Sequence, residues 1–198
     1  APGAVRVEEV LLTLARDARY HAHFASFGAR LSRLDLAVTL AGEGAQADLS
    51  GVGVVGEGGH ADVTTHVTHA VGNTLSTQLF KQVAGGKSRV IYQGKVSVAP
   101  GADGSDSDQT AKALLLDAGA EADLKPELEI LADDVKCAHG AAVGDLDADS
   151  LFYLRARGIP EAQARALLIH AFLEDAIPDF ARDHVIESVN AALEKVSP

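Results

Sequence analysis

The chain holds a single cysteine, Cys137, and a histidine stands two residues beyond it in LADDVKCAHGAAVGDLD (131–147). On an extended strand, residues two apart share a face, with Cα atoms roughly 6.5–7 Å apart. The Cys137 thiol and the His139 imidazole can therefore approach one metal ion or one cluster together, while Lys136 and Ala138 face the other way. Two ligands cannot enclose a metal, because a closed site needs about four. The first reading is thus an incomplete metal or sulfur site, finished by another part of this chain or by another chain. The second is a buried cysteine acting as a small apolar residue beside an unrelated histidine. The third is a Cys–His nucleophile pair, for which no oxyanion-hole segment or third orienting residue is evident.

The remaining histidines carry weaker signals. HADVTTHVTH (60–69) places His60, His66 and His69 in one string and offers a candidate zinc set. Its β-branched content argues for a strand, and on a strand His66 and His69 face opposite sides. His21 and His23 share a strand face and could flank a groove. His170 and His184 belong to helical segments and read as structural. Asp133 and Asp134 are adjacent, hence on opposite faces of a strand and a poor acid–base pair; they read as a corner ahead of the cysteine strand. The glycine-rich GVGVVGEGG (51–59) lacks the Lys-Ser/Thr ending of a P-loop, and no helix follows it as a dinucleotide fingerprint requires.

The elements that position these residues change period once. From about residue 5 to 145 the pattern is short strands with Gly-rich corners. SRLDLAVTL (32–40) alternates strictly, and ADLSGVGVV (47–55), ADVTTHVTH (61–69), SRVIYQGKVSV (88–98), TAKALLL (110–116) and PELEILADDV (126–135) continue the series. Leu34, Leu49 and Val63 mark a half-turn of steady length, with no helix between strands. Small inward residues and the absence of Asn-Gly hairpin turns favour a β-solenoid over a sandwich.

After residue 147 the period becomes helical. Asp149 or Ser150 is the N-cap candidate of the first helix, Gly158 its stop, and Pro160 starts the second. Ala164, Leu167, Leu168, Ala171 and Phe172 form the expected apolar stripe of the second helix; Val185, Val189, Ala192 and Val196 form that of the third, which Pro178 opens. The expected organisation is a β-solenoid over residues 1 to 147 and a helical domain over 148 to 198, the helices capping an open solenoid end.

Composition narrows the function. A net charge of −11 repels phosphate backbones and argues against nucleic-acid binding. No apolar run approaches the roughly 18 residues of a membrane span. One cysteine excludes an internal disulfide framework and fits a reducing cytosol. The chain lacks an initiator Met, or any Met, and reads as a fragment or processed product.

Three stretches then match something specific: PELEILADDVKCAHGAAVGDLDADSLFYLRARGI (126–159), RVIYQGKVSVAPGADGSDSDQTAKALLL (89–116) and HADVTTHVTHAVGNTLSTQLFKQVAGGKS (60–88). Together they resemble the SufB/SufD family, scaffold components of the SUF iron–sulfur cluster assembly machinery. The likeness covers about two-thirds of the chain well and the first 50 residues loosely. DDVKCAHGAAVG resembles the SufD branch, since SufB-type chains typically carry a glutamate–histidine–glutamate stretch there.

The resemblance implies a right-handed parallel β-helix followed by a helical domain. It implies a heterodimer with SufB and a complex with two copies of the ABC-type ATPase SufC, which the helical domain contacts. The family's interface histidine falls on His139 and its neighbouring cysteine on Cys137. These would form half of a site that SufB completes around a nascent cluster, with SufD linked to iron acquisition. Tyr153, Arg155 and Arg157 form a candidate SufC contact. No catalysis is expected of this chain, and no tightly bound cofactor when it is isolated; iron or an iron–sulfur cluster would occupy the SufB interface transiently. Family members are roughly twice this length, so a piece lacking the first rungs presents an edge and is expected to self-associate. The rival readings are a solenoid enzyme acting on carbohydrate, which needs a cleft of carboxylates or basic residues, and a structural solenoid that polymerises end to end.

Overall fold

The computed structural model describes residues 3–196. Ten strands come first: β1 (Val5–Leu14), β2 (Arg19–Phe27), β3 (Leu31–Leu40), β4 (Gln46–Val55), β5 (His60–His69), β6 (Leu75–Ala84), β7 (Arg89–Val98), β8 (Asp106–Leu115), β9 (Glu121–Ile130) and β10 (Lys136–Gly144). They are followed by α1 (Ala148–Ala156), α2 (Glu161–Glu174), a 3₁₀ turn (Asp179–Ala181) and α3 (Arg182–Val196).

The odd strands form one parallel sheet, β1-β3-β5-β7-β9, and the even strands the other, β10-β8-β6-β4-β2. The chain crosses from one sheet to the other at every corner, so two strands make one rung and five rungs make a parallel β-solenoid. Leu31, His60 and Arg89 pair in register at the starts of successive odd strands. The strand-to-strand spacing of the sequence is therefore half a rung.

Alternation fixes what lies in the lumen. In β3 the residues Leu34, Leu36, Val38 and Leu40 are buried, while Arg33 and Asp35 on the other face pair with one another outside. Val67, Val96 and Val98 stack on the same inward columns. The corners stack as well: Gly44 and Asn73 both adopt left-handed backbone, and the Gly44 N–H donates to the Asn73 carbonyl at 3.0 Å. At Gly42 a Cβ would stand 1.9 Å from the Arg16 backbone nitrogen, so only glycine lets one corner lie on the next.

The helices correct one expectation. α2 and α3 lie along the outer face of the even-stranded sheet, and the β9–β10 end of the solenoid is left open. Val52 and Val54 of β4, Val83 of β6 and Leu114 of β8 point outward, yet are buried in a second core with Ile169, Leu173, Val185 and Val189. This explains why the second half of β4 is buried at every position although its first half alternates. Lys81, also outward on β6 and 5% exposed, joins this interface through Asp175 at 2.5 Å and the face of Phe172.

The α2 stripe is rotated from the expected one. Ala164, Ile169 and Leu173 are buried, whereas Leu167 and Ala171 are exposed. For α3 the expected Val185, Val189 and Ala192 are buried, joined by Leu193. The α1 cap is Asp147, whose carboxylate accepts from the Ser150 N–H at 2.7 Å, and neither Asp149 nor Ser150 serves. Gly158 does end that helix, at φ +85°.

Candidate functional site

β10 is the edge strand at the end of the even-stranded sheet. It pairs with β8 on one side, Cys137 beside Ser107 and His139 beside Gln109. Ser107 and Gln109 are buried lumen residues, so Cys137 and His139 belong to the same inward-facing columns. Strand parity thus brings thiol and imidazole to one face, and the topology places that face at the open last rung. Cys137 is half-buried against the lumen core, and His139 is exposed.

The local sequence builds this rung from the corner upward. The Asp133 and Asp134 N–H groups both donate to the Asp103 carboxylate at 3.2 Å, so the two aspartates form a corner, as their adjacency suggests. The Lys136 N–H donates to the Ser105 carbonyl and starts the ladder that aligns β10 on β8.

Burial pushes the Cys137 thiol above its ordinary pKa. The Asp106 carboxylate adds to the shift, and a hydrogen bond with the Ser107 backbone offsets part of it. Ionising this thiol therefore calls for a cation close by. Thiolate and imidazole are both good ligands for iron and zinc. Among the described residues no group of three or more His, Cys, Asp and Glu side chains could hold a metal ion. The rung supplies two donors of the roughly four that a closed site takes.

The other candidates fall elsewhere. His60 and His66 face outward on β5, where His66 meets Ser97 and Thr68, while His69 faces the lumen and is fully buried. His69 points to the opposite face of the strand from His60 and His66, which are six residues apart and so roughly 20 Å from one another, and the candidate zinc set of His60, His66 and His69 is not brought together. His69 instead has both ring nitrogens engaged, Nδ1 with Thr74 Oγ1 at 2.7 Å and Nε2 with Ser76 Oγ at 2.9 Å. His21 reaches Asp48 at 2.8 Å and His23 reaches Ser50 at 2.8 Å, on the outward side of the even sheet. Tyr153, Arg155 and Arg157 lie at the exposed end of α1: the Arg157 guanidinium stacks 4.7 Å from the Tyr153 ring centre and Arg155 pairs with Glu161 at 3.3 Å.

One feature of the site escaped the sequence reading. Ser76-Thr77-Gln78, Ser107-Asp108-Gln109 and Cys137-Ala138-His139 are stacked in register on β6, β8 and β10. The final rung repeats the two below it with thiol in place of hydroxyl and imidazole in place of amide. Ser76 Oγ and Ser107 Oγ are hydrogen-bonded at 2.9 Å, which extends the His69 network up the thiol column. Across the lumen, the Tyr92 hydroxyl meets Thr65 Oγ1 at 3.1 Å and Gln78 Oε1 at 3.4 Å, and burial pushes its pKa up to about 12. The two Ser-x-Gln copies were present in the sequence, but they become a signal only once the rung length is known.

A family model described as "SUF system FeS cluster assembly, SufBD core domain" matches residues 1–172. The chain is 37% identical over 171 residues to the iron–sulfur cluster assembly protein SufD of Escherichia coli, a match covering 85% of this chain and 40% of that relative. It is 34% identical to a SufBD-family protein of Mycobacterium leprae, covering 82% of this chain and 19% of the relative. A SufBD-family protein of Synechocystis is 35% identical, covering 82% and 37%. The chain thus spans less than half the length of these relatives. No helix among the described residues is long and apolar enough to cross a membrane.

Proposed function

The chain belongs to the SufBD core family of the SUF iron–sulfur cluster assembly system, and on that premise we propose that it is a non-catalytic scaffold subunit acting in the cytoplasm. In this reading it pairs with a SufB-type chain through the open rung at β9 and β10. SufC-type ATPases bind its helical region, and the Tyr153–Arg157 end of α1 is the candidate contact.

The observation that carries the proposal is the placement of Cys137 and His139 on one inward face of an edge strand. An edge strand offers unpaired backbone donors and acceptors to another chain. That pairing would set a second group of ligands against the thiol and the imidazole. Iron or a nascent cluster is then cargo held across the interface, with this chain giving a sulfur and a nitrogen donor and the partner the remainder. Because burial favours the neutral thiol, Cys137 would release its proton as the cation arrives. The isolated chain would hold no metal tightly. In the mechanical form of this reading, SufC dimerises on binding ATP and draws the helical regions together, which shifts the scaffold interface. The outer-face core around Ile169 and Leu173 would carry that force to β4 and β6.

The test is reconstitution with SufB- and SufC-type partners, using the full-length form of this chain. His139→Ala and Cys137→Ser should leave the assembled mass unchanged by light scattering while lowering cluster loading by about tenfold or more. Unchanged loading in the His139→Ala complex would remove the basis of the proposal.

A further inference from the structure

Beneath His139 the lumen column is polar where a solenoid interior is ordinarily apolar. Gln109 is fully buried and Gln78 is 1% exposed. The order Gln78, Gln109, His139 follows the register of β6, β8 and β10. Gln78 has one amide atom engaged, its Oε1 accepting from Tyr92. Neither Nε2 nor Oε1 of Gln109 makes a well-formed hydrogen bond among the described residues, although the amide lies near enough to the Tyr92 hydroxyl to oppose part of the rise in its pKa. The opposite sheet makes room for this amide: a Cβ on Gly94 would stand 2.3 Å from Gln109 Nε2 and 2.5 Å from Tyr92 Oη. Burying an amide with so few hydrogen bonds is unfavourable, and a leucine of similar size would fill the column without that penalty. The next inward residue on the open side of Gln109 is His139.

We propose that Gln109 is the positioning residue of His139. When the open rung is covered, the imidazole lies over the Gln109 amide, and its N–H donates to Gln109 Oε1. One ring nitrogen is thereby fixed as a donor toward the lumen, and the other keeps its lone pair for the cargo metal. Histidine ligands generally need such a partner, because the hydrogen bond at one nitrogen sets the tautomer and the direction of the other. Gln109 touches no metal in this scheme and acts only through His139. The inference rests on the proposed role of His139 as an interface ligand.

The experiment is a double-mutant cycle in the reconstituted complex, with cluster loading read from visible absorbance and fold from thermal unfolding of the chain. Gln109→Leu should lower loading about tenfold. The Gln109→Leu/His139→Ala double variant should load no worse than His139→Ala alone. Gln109→Glu, which keeps an acceptor at the same reach, should restore most of the loading. Should Gln109→Leu fail to fold, Gln109→Asn withdraws the amide by one methylene and should show the same loss. Additive losses in the double variant, or full loading with Gln109→Leu while His139→Ala is impaired, would overturn the positioning role alone. Full loading with His139→Ala would overturn the interface reading and this inference with it.

Discussion

Acidification should unfold this protein earlier than its carboxylates alone would require, and His69 is one reason. The ring is fully buried. Burial lowers its pKa from the ordinary 6.5 to about 4, and the Asp106 carboxylate pulls only weakly in the other direction. Both ring nitrogens are already bonded to hydroxyls, at Thr74 and Ser76. The folded state therefore keeps His69 neutral, while the unfolded chain takes up a proton below its ordinary pKa. Stability from this group is complete above pH 6.5 and declines as pH falls toward about 4, below which both forms are protonated and the loss levels off. Proton linkage between those two values gives a loss of about 2 kcal/mol between pH 7 and pH 5, and about 3 kcal/mol by pH 4.

The assay is urea unfolding followed by far-UV circular dichroism at pH 7 and pH 5, on the wild-type chain and on His69→Gln. Glutamine keeps donor and acceptor capacity but does not titrate. Whatever the substitution costs at neutral pH, the change between the two pH values should shrink by about 2 kcal/mol. His23, whose pKa burial also lowers to about 4, contributes in the same direction and remains in the variant. An equal loss in wild type and His69→Gln would refute the argument, since it would mean that the unfolded chain gains no proton at this residue that the fold excludes.

Two further outcomes follow from the same reasoning. Lys81→Glu would bury a carboxylate against Asp175 in place of an ion pair, at a cost of about 3 kcal/mol or more; amides of α2 and α3 should then exchange faster by hydrogen-exchange mass spectrometry while β5 and β7 stay protected, and unchanged exchange in the helices would count against this interface. The Cys137 thiol should react with iodoacetamide near neutral pH more slowly than a free cysteine, and Asp106→Asn should speed it, because burial and then the Asp106 carboxylate hold the thiol protonated; labelling as fast as a free thiol would show that the rung does not protect it.

Strand parity and corner chemistry are properties of a few consecutive residues, so the sequence by itself carried much of this protein. The alternation in SRLDLAVTL, the steady half-rung spacing and the change of period after residue 147 favour a β-solenoid with a helical tail over a sandwich, and the family resemblance implies the parallel β-helix. The two-residue step from Cys137 to His139 already puts both side chains on one face, and the odd step from His66 to His69 already separates those two.

What the sequence did not decide depends on pairings about a rung apart in the chain. The strand Leu75–Ala84 shows no clean alternation, because its second half is buried on both faces; the outward face is buried only because α2 packs there. The same packing rotates the apolar stripe of α2 toward Ile169 and Leu173, and it lays α2 and α3 along the sheet instead of over its end. The polar column of Gln78 and Gln109 beneath His139 also needed the rungs in register, since nothing local distinguishes a glutamine that faces the lumen under a ligand from one that faces water. Local propensity fixes which side of a strand a residue occupies; only the stacked rungs decide what lies above and below it.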